Sequence, residues 1–380
     1  MFSSTVDFIK SLYPDQNPVQ LHKPVFQGNE KKYVLDCIDS TFVSYVGKYV
    51  TRFEKMTAEY TGTKHAIVMV NGTVALQLSL QLAGVEIGDE VITQPLTFVA
   101  TANAISHCGA KPVFIDVDLD TMGMSPEKLE YWLAKNTKYN SSTNKQINLS
   151  TNKSITAIVP MHTFGFPCKI NDIIEIANKY NIPVIEDAAE SLGSYYKSRH
   201  TGTFGLAGVL SYNGNKTITT GGGGMIITDN DEFAKKAKHL STTAKLLNKY
   251  EFIHDEVAYN YRLTNINAAL GVAQMEQIGK YITNKRETAL KYKEFFSNTE
   301  VAFYNENKNT KANFWLNVVL LNNLAERNKF LKYTNENGVM TRPIWRLMNK
   351  LEMYKNCQTG NLDNANWFEE RVVNIPSGYR

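Results

Sequence analysis

Lys216 is the residue of this chain best placed to act as a nucleophile. It lies in Ser211-Tyr212-Asn213-Gly214-Asn215-Lys216-Thr217-Ile218-Thr219-Thr220, which runs into four glycines at 221–224. An apolar run over 209–212 stops at these polar turn residues, and Met225-Ile226-Ile227 starts another just after the glycines, so the lysine falls where two strands end. An amine held between packed strands and bare backbone is partly desolvated, which lowers its pKa toward that of a useful nucleophile. A surface lysine in a glycine hairpin would show the same residues. What decides is whether other reactive groups gather nearby. Carboxylates end one strand, in Glu186-Asp187-Ala188-Ala189-Glu190-Ser191, and His162 ends another. Asn71-Gly72-Thr73 stands between a strand and a helix, where unpaired N–H groups and the helix dipole favour an anion. An ordinary cap made by Asn71 or Thr73 fits there too. Phe98 falls at a similar strand-to-helix junction, with core packing and stacking on a bound ring both open to it.

The elements that must position these groups alternate in kind. Apolar runs and helical spacing predict strands over 65–70, 90–93, 111–117, 157–161 and 182–185, with helices over 74–83, 97–107 and 170–177 between them. Such alternation implies a parallel sheet with crossovers. Ligands bind at the carboxyl edge of sheets of this kind, and Gly72, Thr73, Phe98, His162 and Asp187 all fall on that edge. The stretch 135–154 is Asn, Ser, Thr and Lys with hardly an apolar residue, and reads as an exposed loop.

A chain of 380 residues holds one large domain and a smaller one. The boundaries fall at 1–45 for an N-terminal arm and short helix, 46–284 for the large domain and 285–380 for the small one. A net charge of +4 is spread along the chain, so no basic stripe argues for nucleic acid. Cys37, Cys108, Cys168 and Cys357 lie far apart with no C-x-x-C spacing, which predicts reduced thiols and no metal site. No signal peptide and no membrane-length apolar run is visible, so a soluble cytoplasmic protein without a membrane partner is expected.

An anion seat, an aromatic ring, a carboxylate and a lysine are together what pyridoxal 5'-phosphate requires. Asp187 would keep its pyridine nitrogen protonated. Lys216, displaced from a Schiff base by an incoming amine, would carry the proton between carbon atoms. That chemistry is transamination.

Asn71-Gly72-Thr73-x-Ala75-Leu76, Thr97-Phe98-Val99-Ala100-Thr101-x-Asn103, Glu186-Asp187-Ala188-Ala189 and Ser211-Tyr212-x-x-x-Lys216-x-Ile218-Thr219-Thr220-Gly221 together resemble the DegT/DnrJ/EryC1/StrS family of nucleotide-sugar aminotransferases. The resemblance runs from about residue 20 to the end. It implies an α/β protein of the aspartate aminotransferase fold (fold type I). A large domain with a mixed, mostly parallel sheet and a smaller C-terminal α+β domain are expected, assembled as a homodimer with shared sites. By the same resemblance Gly72, Thr73 and Ser211 hold the cofactor phosphate, Asn213 lies beside the cofactor, Phe98 stacks on its ring, Asp187 bonds its pyridine nitrogen and Lys216 forms the Schiff base. Asn260, in Tyr259-Asn260-Tyr261-Arg262, is expected to reach the phosphate in the neighbouring subunit. The chain departs from the family at two positions. Glu190 stands where many members have a glutamine that contacts the ring hydroxyl, a contact for which a glutamate needs a shared proton. Gly222 stands where many have glutamate. Lys216 itself argues against the related sugar 3-dehydrases, which carry histidine there.

Within the family, Asn213-Gly214-Asn215-Lys216, Ala269-Leu270-Gly271-Val272-Ala273-Gln274-Met275-Glu276-Gln277 and Thr341-Arg342-Pro343-x-Trp345 look like the subgroup typified by the LegC and PglE enzymes. That likeness implies ping-pong transfer of an amino group from L-glutamate to C4 of UDP-2-acetamido-4-keto-2,4,6-trideoxyglucose, for bacillosamine, legionaminic acid or a surface glycan. His162, Arg342 and Trp345 are the expected substrate contacts. The alternatives are an aminotransferase acting on a GDP- or dTDP-linked 4-keto-6-deoxyhexose, of the perosamine type, and a non-catalytic regulator on the same fold.

Overall fold

The computed structural model of the protein describes residues 2–380. Its large domain is organised by one sheet. In spatial order the strands are His65–Met69, Gly224–Thr228, Ala207–Ser211, Ile185–Asp187, Ser154–Val159, Glu90–Thr93 and Lys111–Phe114. The first three pair antiparallel and the rest parallel, with single bridges Ile158 to Val184 and Met161 to Asp187 joining the two halves. The sheet is therefore mixed, mostly parallel, as the resemblance implies; the alternating pattern alone does not foresee the antiparallel strand Gly224–Thr228.

Successive strand residues face opposite sides of a sheet, and here they divide between two cores. Ile67, Met69, Val209 and Ile226 pack with residues of the helices Gly72–Leu82, Val99–His107 and Asp231–Ser241. Val68, Leu210, Met225 and Ile227 pack with those of Lys48–Thr61 and Asn265–Met275. With both faces covered, the strands read as continuous apolar runs. What stays open is the edge where the strands end.

The small domain is an antiparallel sheet of Ala302–Phe303, Asn317–Leu320, Val372–Ile375 and Arg342–Pro343. The first helix of the chain, Ser3–Leu12, belongs with it rather than to a separate arm over 1–45. Val6, Ile9 and Leu12 share a core with Tyr292, Phe296, Val319 and Phe330. A boundary at 284/285 falls inside the single helix Ile278–Phe296. Ile278, Tyr281 and Ile282 pack into the large domain while Tyr292 and Phe296 pack into the small one.

The stretch 135–154 also differs from expectation. It forms a hairpin of Thr137–Asn140 and Lys145–Asn148, whose second strand pairs with the start of Ser154–Val159. Most of it is exposed, as expected, but Gln146 and Asn148 are buried and find their partners in hydrogen bonds. The side chain of fully buried Asn148 donates to Glu90 Oε2 and Gln358 Oε1, each at 2.6 Å. Among the described residues, no helix is long and apolar enough to cross a membrane.

Candidate active site

Two strand ends and two helix starts meet around a cavity of about 280 Å³. Lys216 enters it from the turn between Ala207–Ser211 and Gly224–Thr228. That turn is tied down by Lys216 N–H donating to Asn213 O at 3.0 Å and Thr220 N–H to Tyr212 O at 3.0 Å. The indole of Trp315, from the small domain, donates to Asn215 O at 2.7 Å. The Lys216 ammonium lies 4.0 Å from the centre of the same indole ring and 3.2 Å from Glu190 Oε1. One amine is thus held between a carboxylate and an aromatic face.

Asp187 ends the Ile185–Asp187 strand and is 3% exposed. Its Oδ2 accepts from the Thr101 hydroxyl at 2.6 Å and its Oδ1 from Ala189 N–H at 3.1 Å. Burial pushes its carboxyl above the usual range, against the pull of those two donors and of the Lys216 charge. Such a group gains by meeting a positive partner inside the cavity.

Opposite stands the start of the helix Gly72–Leu82. Asn71 caps it, its side chain accepting from Val74 N–H at 3.0 Å. That bond spends one of the four free donors of the first turn, and Gly72 and Thr73, which carry the next, line the cavity with Ser211. Asn71 is therefore the cap, and Gly72 and Thr73 border the cavity beside it. The close approach depends on Gly224, where a Cβ would come within 2.4 Å of the Asn71 carbonyl carbon. Phe98, 48% exposed, lines the same cavity, as do Asn213 and Trp345. Trp345 sits with its ring 4.7 Å from that of Phe164 and 6.0 Å from that of Phe98.

Nine sequence candidates therefore meet here: Gly72, Thr73, Phe98, Asp187, Glu190, Ser211, Asn213, Lys216 and Trp345. Three do not. His162 is fully buried and lines no part of the cavity. Its Nε2 pairs with Glu186 Oε2 at 2.9 Å and its Nδ1 accepts from Cys168 N–H at 3.2 Å. With Nδ1 an acceptor, the hydrogen-bond pattern assigns a neutral ring that donates from Nε2. Glu186 also accepts from the amides of Gly202, Phe204 and Gly205. The expectation of a substrate contact at His162 is corrected on this ground: a polar side chain at a strand end can turn inward when carboxylate and amides await it. Arg342 is exposed and bonded to Asn335 Oδ1 and Thr341 O, outside the cavity lining. Asn260 is exposed, bridged to Thr242, and likewise outside it.

Trp315 and Thr101 are the site residues sequence reasoning misses. Thr101, the third residue of Val99–His107, stands in the family motif quoted above, but nothing in the sequence says that its hydroxyl meets Asp187. Trp315 arrives from another domain, 99 residues beyond Lys216 in the chain, and has no local signal.

The profile of the DegT/DnrJ/EryC1/StrS aminotransferase family matches residues 24–380. The chain is 36% identical to GDP-perosamine synthase of Escherichia coli O157:H7 over 361 residues, 94% of this chain and 93% of that protein. It is 34% identical to GDP-perosamine synthase of Caulobacter vibrioides over 369 residues, covering 94% and 93%. The structure superposes with a TM-score of 0.85 on Helicobacter pylori PseC, an aminotransferase involved in the biosynthesis of pseudoaminic acid. Identity there is 25%, with 95% of this chain and 94% of that one covered. The chain belongs to the DegT/DnrJ/EryC1/StrS aminotransferase family.

Proposed function

We propose that this protein is a pyridoxal 5'-phosphate-dependent aminotransferase that passes the amino group of L-glutamate to C4 of a GDP-linked 4-keto-6-deoxyhexose. The observation that carries the cofactor reading is the convergence on one cavity of an amine, a buried carboxylate of raised pKa and a helix N-terminus with amides to spare. Each meets a different part of one small molecule. When bound, the cofactor supplies an electron sink that lets a proton leave the carbon bearing the amine.

The rest falls to the chain. Gly72, Thr73 and Ser211 hold the phosphate, and Asn213 lies beside it. Phe98 covers the ring, and Asp187, held by Thr101, keeps a proton on the pyridine nitrogen. Lys216 would hold the cofactor through its amine and, once displaced by the donor amine, would move protons as base and acid. Trp345, in the cavity wall and backed by the buried ring of Phe164, is the surface on which the sugar docks.

The GDP-linked substrate is favoured by the relatives, three of which are named GDP-perosamine synthase at 34–36% identity. That support turns the reading away from the UDP-linked acetamido sugar, which rests on motif likeness alone. A homodimer with Asn260 acting on the partner's phosphate fits Phe42, Val46, Leu247, Tyr250, Phe252 and Val257, all large apolar side chains exposed on a single chain. The test is mass spectrometry of products after incubation with glutamate and a panel of GDP-, UDP- and dTDP-linked 4-keto sugars. Gain of an amine on the GDP-linked sugar at a rate well above the others supports the proposal. Preference for the UDP-linked acetamido sugar overturns the choice of nucleotide, and no amination of any sugar overturns the activity.

A further inference from the structure

A carboxyl group closed into a cavity wall needs partners, and Glu190 has two. It is 2% exposed, with Oε1 3.2 Å from Lys216 Nζ and Oε2 accepting from Phe164 N–H at 2.9 Å. Phe164 offers that N–H from a left-handed conformation, φ 56°, which costs a bulky residue about 1–3 kcal/mol. The next residue, Gly165, is also left-handed, and a side chain there would run into Asn313 Oδ1. Asn313 in turn donates to the Glu190 carbonyl at 2.8 Å. The fold holds this carboxyl in place from both ends. A glutamine would accept the Phe164 N–H equally well. What a carboxylate adds is somewhere for the Lys216 proton to go.

We infer that Glu190 is a second proton-carrying group of the site, which holds Lys216 as its ion pair and accepts its proton when the amine turns nucleophile. The step moves one proton from ammonium to carboxylate, leaving a neutral amine and a carboxylic acid. Charge and proton count of the pair do not change, so no water has to enter. The inference rests on the proposed role of Lys216 toward an aldehyde.

The surroundings agree. Burial raises the Glu190 carboxyl to about 7, opposed by the Lys216 charge and the Phe164 amide and helped by the charge of Asp187. Asp187 faces the pair from the Ile185–Asp187 strand and Trp315 from the small domain. Behind Lys216, His22 and Lys285 line a small space with it. Lys285 is itself buried, with its pKa lowered to about 7, and donates to Trp315 O and Ser377 O.

The experiment uses the cofactor-free protein. Lys216 is acylated with acetic anhydride across a pH series, and the extent is read by peptide mass spectrometry. Glu190→Gln keeps the Phe164 bond and removes the charge, so the pH midpoint of Lys216 labelling is expected to fall by about one to three units. Glu190→Asp, which keeps the charge on a shorter arm, should give a smaller fall, and it carries the test if the glutamine variant does not fold. An unchanged or raised midpoint overturns the inference. If the midpoint falls but pyridoxal 5'-phosphate never attaches to Lys216, the ion pair stands and the proposed cofactor reading fails instead.

Discussion

Adding one methyl group at Gly224 separates the anion seat from everything else in the site. An ideal Cβ there lies 2.4 Å from Asn71 C, 2.5 Å from Asn71 O and 2.7 Å from Gly72 N. All three are backbone atoms and cannot swing aside. To restore an ordinary contact of 3.4 Å, the Asn71–Gly72 peptide has to retreat by about 1 Å. Overpacking of this kind costs ~1–3 kcal/mol, and the displaced peptide opens the helix whose amides are to hold the phosphate. At 1.4 kcal/mol per tenfold, the Kd of Gly224→Ala for pyridoxal 5'-phosphate should rise roughly five- to a hundredfold. Gly214→Ala is the control, because in the same turn its Cβ would meet only Gly221 O at 3.9 Å, an ordinary contact, and Gly214 does not line the cavity; it should bind as the wild type does. The assay is a cofactor titration of the apo-protein followed by tryptophan fluorescence, which Trp315 and Trp345 in the cavity wall make sensitive. Wild-type affinity in Gly224→Ala, or an equal loss in both variants, refutes the reasoning.

Other expectations follow from single side chains. Thr101→Val removes the 2.6 Å bond to Asp187, leaving burial less opposed, so the Asp187 pKa rises further. Since the carboxylate form is needed, the acid limb of the kcat profile should move up by about one pH unit, the lower worth of one hydrogen bond to a charge; an unmoved limb contradicts the assignment. Trp315→Phe keeps a ring against Lys216 but drops the bond to Asn215 O, a loss of ~1 kcal/mol. A fall of severalfold in kcat with little change in Tm is expected, and a fully active variant would show that the turn needs no such tie. His200 accepts Gly193 N–H at Nε2 and donates from Nδ1 to Thr201 O, so it is held neutral, its pKa lowered by burial from 6.5 to about 4. The unfolded chain binds that proton first, and stability is lost as pH falls from 6.5 toward 4, by ~3 kcal/mol. Glu190, raised from 4.5 to about 7, runs the other way, losing stability as pH rises through that window. In His200→Gln the Glu190 effect loses this counterweight, so the urea midpoint of the cofactor-free variant should fall more steeply between pH 4.5 and 7 than that of the wild type. Parallel profiles would exclude this balance.

The sheet edge is legible in the sequence because its chemistry uses short-range signals: a glycine turn after a strand, a carboxylate ending a strand, a lysine before glycines. Each of those marks a backbone event that forces the neighbouring side chain to the edge. Trp315 is illegible because nothing near it in the chain says that it will cross from the small domain to Lys216. His162 carries the right position but not the right direction, since the amides that gather Glu186 come from 202–205. The hairpin at 137–148 hides behind its composition, as buried asparagine satisfied by Glu90 and Gln358 looks the same in sequence as solvated asparagine. The helix Ser3–Leu12 has apolar spacing, yet its partners begin at Tyr292. The sugar's nucleotide is not written in the cofactor motifs at all, because those motifs bind what every member of the family shares.

The central claim concerns one nitrogen atom. The direct measurement is to load the purified protein with pyridoxal 5'-phosphate, reduce it with borohydride, digest it and locate the pyridoxyl group by mass spectrometry. The account predicts that the label sits on Lys216 and on no other lysine, and that Lys216→Met carries none. A label on a different lysine, or a variant still labelled as the wild type is, would contradict it.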